Sequence, residues 1–64
     1  MTKQEAIEAM KTNRVRHRYF SKDEWVTQCS NGNYYLEDGV ECSPMEFWAY
    51  RQGSDWETDW EIVE

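Results

Sequence analysis

Two turn signals divide the middle of the chain and limit the folds that are open to it. Asn31-Gly32 and Asp38-Gly39 are dipeptides typical of tight β-hairpin turns, whose central residues need positive φ angles. The segments beside these turns are short and carry residues that favour strands: 25–29, 34–36 and 40–42. The pattern predicts three strands in an antiparallel meander.

The first residues predict a helix. Thr2 and Glu5 have the spacing of a capping box, in which the two side chains accept hydrogen bonds from backbone N–H groups at the helix start. Four apolar residues then recur on one helical stripe, at Ala6, Ile7, Ala9 and Met10. We expect an amphipathic helix over residues 3–12, ended by a left-handed backbone conformation at Asn13.

From residue 14 the apolar period changes to two. Three arginines alternate with three less polar residues, which predicts a half-buried strand. The arginines are Arg14, Arg16 and Arg18, and the residues that follow each of them are Val15, His17 and Tyr19. Residues 21–24 are expected to form a turn.

The last third of the chain shows both the helical period and the strand period of two. Residues 45–52 fit either a helix or a strand, and their aromatic content favours a strand. Residues 54–57 have the spacing of one capped helical turn, and residues 60–63 alternate as a final strand.

These elements define one small domain over residues 1–64. Ten aromatic residues argue for a folded core, although the mean hydropathy is −1.03. We predict an α+β fold with the N-terminal helix packed on a four- to five-stranded, mostly antiparallel sheet. A chain this short buries only about 60% of the surface that its unfolded form exposes, so we expect a homo-oligomer. No apolar run approaches the ~20 residues that span a bilayer, so we expect no membrane contact.

Charge is distributed unevenly along the chain. Residues 1–22 hold six Lys or Arg against two acids, a balance of +4, whereas residues 23–64 hold one Arg against eleven acids, a balance of −10. The net charge of −6 disfavours direct binding to nucleic acids. The basic segment could bind a small phosphate-bearing ligand, and the acidic remainder could contact a basic protein in place of nucleic acid.

Catalytic and metal-binding patterns are sparse. His17 is the only imidazole and no nucleophile motif accompanies it, so we expect no enzyme activity. Two cysteines and one histidine are too few for a zinc site, and no cofactor motif occurs. Cys29 and Cys42 are expected to be free thiols, with a disulfide or redox switch as the alternative.

The basic strand is the most suggestive candidate site. Its arginines, Arg14, Arg16 and Arg18, share one strand face, so their guanidinium groups could converge on phosphates. Aromatic residues on which a base could stack follow closely: Tyr19, Phe20 and Trp25. The alternative is an exposed charged face whose arginines pair with acids of residues 57–64.

Three segments resemble small phage proteins of the Thoeris anti-defence 2-like family. They are Gln-Glu-Ala-Ile-Glu-Ala-Met-Lys at 4–11, the basic strand with its aromatic end at 14–20, and Asp-Trp-Glu-Ile-Val at 59–63. Members of that family begin with a similar helix, continue with a basic strand that ends in Trp, and finish with Asp-Trp-x-x-Val. This chain has Tyr19-Phe20 where the family often has a Gly/Ser-Trp pair.

The resemblance implies a protein of the host bacterial cytoplasm that binds and hides a cyclic nucleotide immune signal without cleaving it. The signal would be a cyclic ADP-ribose-type messenger or a cyclic dinucleotide, held by oligomers with pockets between subunits. On this chain Trp48 is a further stacking candidate beside Tyr19, Phe20 and Trp25, and Asp59 a candidate acceptor for ribose hydroxyls.

An inhibitor of a host protein is the alternative function. In that case the acidic residues 37–64 would dock on a basic face of a host defence or nucleic-acid-binding protein. Trp48 and Trp56 would be the exposed anchors of such an interface.

Overall fold

The computed structural model describes all 64 residues and has an α+β arrangement. Two helices, five strands and one 3₁₀ turn follow one another along the chain. They are α1 (Lys3–Ala9), β1 (Arg14–His17), β2 (Val26–Gln28), β3 (Tyr34–Leu36), β4 (Glu41–Cys42), α2 (Pro44–Ala49), the 3₁₀ turn (Ser54–Trp56) and β5 (Trp60–Val63). The predicted fold class, a helix with a five-stranded antiparallel sheet, is confirmed.

The sheet has the strand order β4-β3-β2-β1-β5, and every neighbouring pair is antiparallel. The first four strands form the predicted meander. Gly32 and Gly39 adopt positive φ angles of 92° and 87° in the two turns, as the turn dipeptides indicate. β5 then returns from the end of the chain and pairs with all four residues of β1.

The capping box of α1 is formed as predicted. The backbone nitrogen of Thr2 donates to Glu5 Oε1 at 2.8 Å, and the backbone nitrogen of Glu5 donates to Thr2 Oγ1 at 3.1 Å. The predicted end at residue 12 is wrong, as is the left-handed conformation at Asn13. The carbonyl of Met10 accepts hydrogen bonds from the backbone and side chain of neighbouring β2 residues, so the chain leaves the helix there.

Residues 44–49 form the helix α2, so the strand favoured for residues 45–52 is wrong. A second capping box starts α2, because Ser43 Oγ accepts from the backbone nitrogen of Glu46 at 3.1 Å and Glu46 Oε1 accepts from that of Ser43 at 3.3 Å. Pro44 occupies the first helical turn, where its missing N–H costs nothing. The helix inserts Phe47 against Tyr34, with ring centroids 5.2 Å apart.

One face of the sheet is covered by both helices and the 3₁₀ turn. The core between them consists of eight buried residues: Ala6, Met10, Val15, Phe20, Val26, Tyr34, Phe47 and Trp60. Trp60 is 2% exposed and its indole nitrogen donates to the carbonyl of Trp56 at 2.8 Å. Ile62 is 43% exposed at the outer edge of the sheet. Neither helix has the length and apolar character needed to cross a membrane.

We expect Trp60→Ala to lower the free energy of unfolding by about 3–5 kcal/mol, because it empties a core position that contacts four other aromatic rings. That is about the whole stability of a domain of this size, so the variant should be largely unfolded. The matched change Ile62→Ala in the same strand should cost less than about 1 kcal/mol. Urea denaturation followed by Trp fluorescence measures the free energy of unfolding of Ile62→Ala, and circular dichroism reports the folded fraction of Trp60→Ala. Equal stabilities for the two variants would contradict this core.

Candidate ligand-binding site

The other face of the sheet has no helix against it. Val15 and His17 of β1 point into the core, so Arg14 and Arg16 point the opposite way. We call this side the outer face. Its side chains are all exposed or half-buried: Arg14, Arg16, Trp25, Thr27, Tyr35, Glu41 and Glu61.

An aromatic pair and a cation meet on the outer face. The guanidinium carbon of Arg14 lies 5.1 Å from the ring centroid of Trp25, and the Trp25 and Tyr35 centroids are 6.2 Å apart. Tyr35 keeps 40% of its surface exposed. Sequence reasoning missed Tyr35, although the period of two after the Asn-Gly turn places Tyr34 and Tyr35 on opposite faces.

Four side chains of the outer face lie in one row across the strands. Tyr35 pairs with both Thr27 and Glu41. Val15 pairs with Val26, and Arg14 and Thr27 are the next residues of β1 and β2 on the outer-face side of that pair. The row therefore reads Glu41, Tyr35, Thr27 and Arg14 from β4 to β1, and we call it the central row.

The carboxylate of Glu41 is held by two amide donors. Glu41 Oε2 accepts from Asn33 Nδ2 at 2.8 Å and from Asn31 Nδ2 at 3.1 Å. These hydrogen bonds, with Asn33 the stronger cause, lower the pKa of Glu41 below its ordinary value of 4.5. The central row thus ends in a carboxylate that stays ionised.

Arg16 is fixed beside the central row. Its Nη1 lies 2.9 Å from Glu61 Oε1, and its Nη2 lies 3.4 Å from the carbonyl of Phe20. Its Nε is buried and has no hydrogen-bond partner. Arg16 therefore has one N–H donor, at Nε, without a hydrogen-bond partner, although its guanidinium is already paired with Glu61.

Arg18 and Asp59 lie away from the central row, in a groove of about 700 Å³ beside β5. Arg18 Nη1 is 3.5 Å from Asp59 Oδ2. The groove is also lined by Arg16, Glu5 and Glu61, so its carboxylates outnumber its guanidinium groups. For Arg16 and Arg18 the alternative of pairing with acids of residues 57–64 is confirmed. Asp59 is paired with Arg18, and the groove brings both together with Arg16 and Glu61 of the outer face.

Three predicted stacking residues are not on the outer face. Phe20 is buried in the core, 5.6 Å from Trp60 between ring centroids, so its predicted role is wrong. Trp48 packs on Trp60 on the helix side, and its Nε1 donates to the Tyr34 hydroxyl at 3.0 Å. Tyr19 is 55% exposed, but its ring packs on Trp56 at the rim of the core. Of the eight predicted site residues, the structure brings Arg14, Arg16 and Trp25 together beside the central row, and Arg16, Arg18 and Asp59 together in the groove beside β5.

His17 uses both of its ring nitrogens inside the fold. Nδ1 accepts from the backbone nitrogen of Tyr19 at 3.1 Å, so Nε2 carries the hydrogen that it donates to the carbonyl of Thr58 at 2.8 Å. The ring is fully buried. Neither nitrogen is available to a ligand.

Cys29 and Cys42 are free thiols, as predicted. Cys29 directly follows Gln28 of β2, and Cys42 lies in β4. Because Tyr34 of β3 pairs with Gln28 on one side and with Cys42 on the other, the strand β3 lies between the two cysteines. That spacing is about 10 Å, beyond the reach of about 7 Å between the Cα atoms of a disulfide. Burial raises the pKa of the Cys42 thiol, and the nearby Glu46 carboxylate adds to the effect.

No group of three or more His, Cys, Asp and Glu side chains is placed to hold a metal ion. Comparison of the chain with protein-family models, with curated proteins and with solved structures finds no match in any of the three. The functional argument therefore depends on the geometry of the outer face.

The lowered pKa of Glu41 predicts a defined loss of stability in acid. Its stabilising contribution is complete above the unfolded value near 4.5 and disappears as the pH falls through the lower folded value. Glu41→Gln should therefore flatten the decrease in melting temperature between about pH 5 and about pH 3. Glu37→Gln removes an exposed carboxylate that makes no hydrogen bond and should leave that decrease unchanged. Parallel acid profiles for Glu41→Gln and the unmodified protein would contradict the assigned hydrogen bonds.

Proposed function

We propose that the protein is a non-catalytic binding protein that captures a nucleotide-type signal molecule on the outer face of its sheet. The observation that carries this proposal is the cluster of Arg14, Trp25 and Tyr35, which combines a cation with an exposed aromatic ring. Nucleotides combine a flat π-system with phosphates and so match both features.

The charges on the outer face favour Arg14 as the phosphate contact. Arg16 is paired with Glu61, whereas Arg14 lies opposite Val63 in β5 and has no carboxylate partner. Its guanidinium lies over Trp25, whose ring packs in turn beside that of Tyr35. A base stacked on Tyr35 would contribute about 1–3 kcal/mol of binding free energy.

The resemblance to the Thoeris anti-defence 2-like family suggests the identity of the ligand. We propose a phage-encoded protein that sequesters a cyclic ADP-ribose-type messenger or a cyclic dinucleotide in the host bacterial cytoplasm. Sequestration needs stoichiometric capture and no turnover. Because the outer face is open, we propose that a homo-oligomer, with a second copy close to this face, increases the surface that contacts the ligand.

Tyr35→Ala should weaken binding of cyclic ADP-ribose or of cyclic di-AMP by about 5- to 150-fold, the equivalent of losing one stacking contact. Tyr50→Ala is the matched control, because Tyr50 is 87% exposed but lies at the end of α2. It should leave affinity unchanged. Isothermal titration calorimetry measures the affinities of both variants. Mass spectrometry should show that the ligand released from the protein is chemically unchanged. Equal affinities for Tyr35→Ala and unmodified protein would reject the outer face as the site.

Inhibition of a host protein is the second candidate, and exposed side chains of α2 favour it. Met45 and Tyr50 are 83% and 87% exposed, in the acidic part of the chain. Trp48 and Trp56 are not the exposed anchors predicted from the sequence, because both are half-buried and pack against the core. Met45 and Tyr50 would serve as the anchors instead.

Under this second function Tyr50 contributes to binding and Tyr35 does not, the reverse of the first proposal. Tyr50→Ala should reduce capture of a basic host protein from a lysate at least about tenfold, the range of an interface anchor, and Tyr35→Ala should not. Added salt should weaken the capture steeply, because the partner charges lie at an exposed surface. Capture that resists salt and survives Tyr50→Ala would exclude this interface.

A further inference from the structure

The strand β5 lies at one edge of the sheet, and its outer side is paired over only part of its length. The N–H of Trp60 donates to the carbonyl of Met1 at 3.2 Å, and the carbonyl of Trp60 accepts from the Met1 amino group at 2.7 Å. Backbone groups alternate between the two sides of a strand, so those of Ile62 and Glu64 point the same way as those of Trp60. Neither Ile62 nor Glu64 has a backbone partner on that side.

β5 is the longer of the two sheet edges. The opposite edge, β4, has two residues, whereas β5 has four. On β5, Ile62 keeps 43% of its surface exposed and Val63 is half-buried. An edge that combines unpaired backbone groups with apolar side chains is a template for pairing with another strand.

A second copy of β5 complements this edge. When the two strands run antiparallel with Val63 opposite Val63, the backbone groups of Ile62 in each copy face those of Glu64 in the other. Two residue pairs then exchange two hydrogen bonds each, four in all. The two Val63 side chains form the closely spaced pair between them. Because Glu64 lies opposite Ile62, no carboxylates meet across these residues.

The contact of Met1 with Trp60 selects this register. A pairing centred on Ile62 would require Glu64 of the second copy to bond with Trp60, whose outer groups are already bound to Met1. A pairing centred on Val63 begins at Ile62 and leaves the Met1 contact in place. It therefore uses every outer backbone group of residues 60–64.

We propose that two copies of the chain dimerise by antiparallel pairing of β5 with β5, with Val63 at the two-fold axis. The same surface serves both copies in such an interface. The two five-stranded sheets then form one sheet of ten strands, with both outer faces on the same side. Arg14 stands opposite Val63 in β1, so the two Arg14 residues lie three strand spacings apart, about 14 Å at the backbone.

This dimer needs no ligand, so it goes beyond the proposed function. It gives the homo-oligomer that the proposed function includes a defined interface. It also brings the Arg14, Trp25 and Tyr35 clusters of the two copies onto one continuous surface.

Sedimentation velocity over a range of protein concentrations tests the dimer. The unmodified protein should reach the mass of two chains at high concentration and dissociate on dilution. Glu64→Pro removes the N–H of residue 64, at an edge position that tolerates proline, and with it two of the four hydrogen bonds. It should weaken the dimer about 5- to 150-fold. The matched control Glu64→Ala keeps that N–H and should not weaken the dimer.

Charges placed at residue 63 test the register. Val63→Lys sets two cations opposite each other at the axis and Val63→Glu sets two carboxylates there, so each variant alone should be monomeric. An equal mixture of the two variants should form a heterodimer, because a cation then faces a carboxylate. The same two substitutions at Val40, which is 50% exposed beyond the other edge strand, should leave the dimer unchanged.

The outcomes separate the dimer from the proposed function. Unmodified protein that stays monomeric at every concentration overturns the dimer. A dimer that persists in both Glu64→Pro and Val63→Lys also overturns it, because the interface would then lie elsewhere. A dimer that responds as expected but binds neither cyclic ADP-ribose nor cyclic di-AMP overturns the proposed function alone.

Discussion

The antiparallel pairing of β5 with β1 joins the last residues of the chain to the first strand and places Trp60 in the core. Trp60 stands opposite His17, with ring centroids 4.9 Å apart, and completes a cluster of aromatic rings around the buried imidazole. The β5–β1 pair is the one strand pair that joins distant parts of the chain, since the remaining strand pairs connect neighbours in sequence. The position of Trp60 in the aromatic core depends on this pairing.

The same pairing decides which arginine is free on the outer face. β5 places Glu61 opposite Arg16, and Asp59 next to Arg18, so two of the three arginines are paired with carboxylates. Arg14 faces Val63 and instead packs its guanidinium over Trp25. Because of the register of β5, Arg14 is the one arginine of the strand without a carboxylate partner, and it lies beside the aromatic pair of Trp25 and Tyr35.

Local signals in the sequence were sufficient for much of the fold. The Asn-Gly and Asp-Gly turns predicted the meander, and the box at Thr2 and Glu5 predicted α1. Aromatic content favours a strand for residues 45–52, whereas the Ser-x-x-Glu spacing of Ser43 and Glu46, with Pro44 between them, is the local signal that agrees with the helix α2. For a six-residue segment, capping residues determine the backbone more directly than side-chain propensity does.

The candidate site was predictable only in part, because it depends on pairing between strands. Alternation placed Arg14 and Arg16 on one face correctly, but Phe20 and Trp48 entered the core through tertiary contacts that no local pattern reports. Glu41 and Tyr35 were missed since their position beside Thr27 and Arg14 follows from the register of four strands. In this protein, the side chains on adjacent strands determine whether a charged or aromatic residue can contribute to the site.

The most direct measurement is a nuclear magnetic resonance titration of isotope-labelled protein with cyclic ADP-ribose and with adenosine 5′-diphosphate. The account predicts chemical-shift changes that follow the central row, at Arg14, Thr27, Tyr35 and Glu41, with the indole signal of Trp25 shifting as well. Shift changes confined to the groove at Arg18 and Asp59, or to Met45 and Tyr50 of the α2 region, would contradict it.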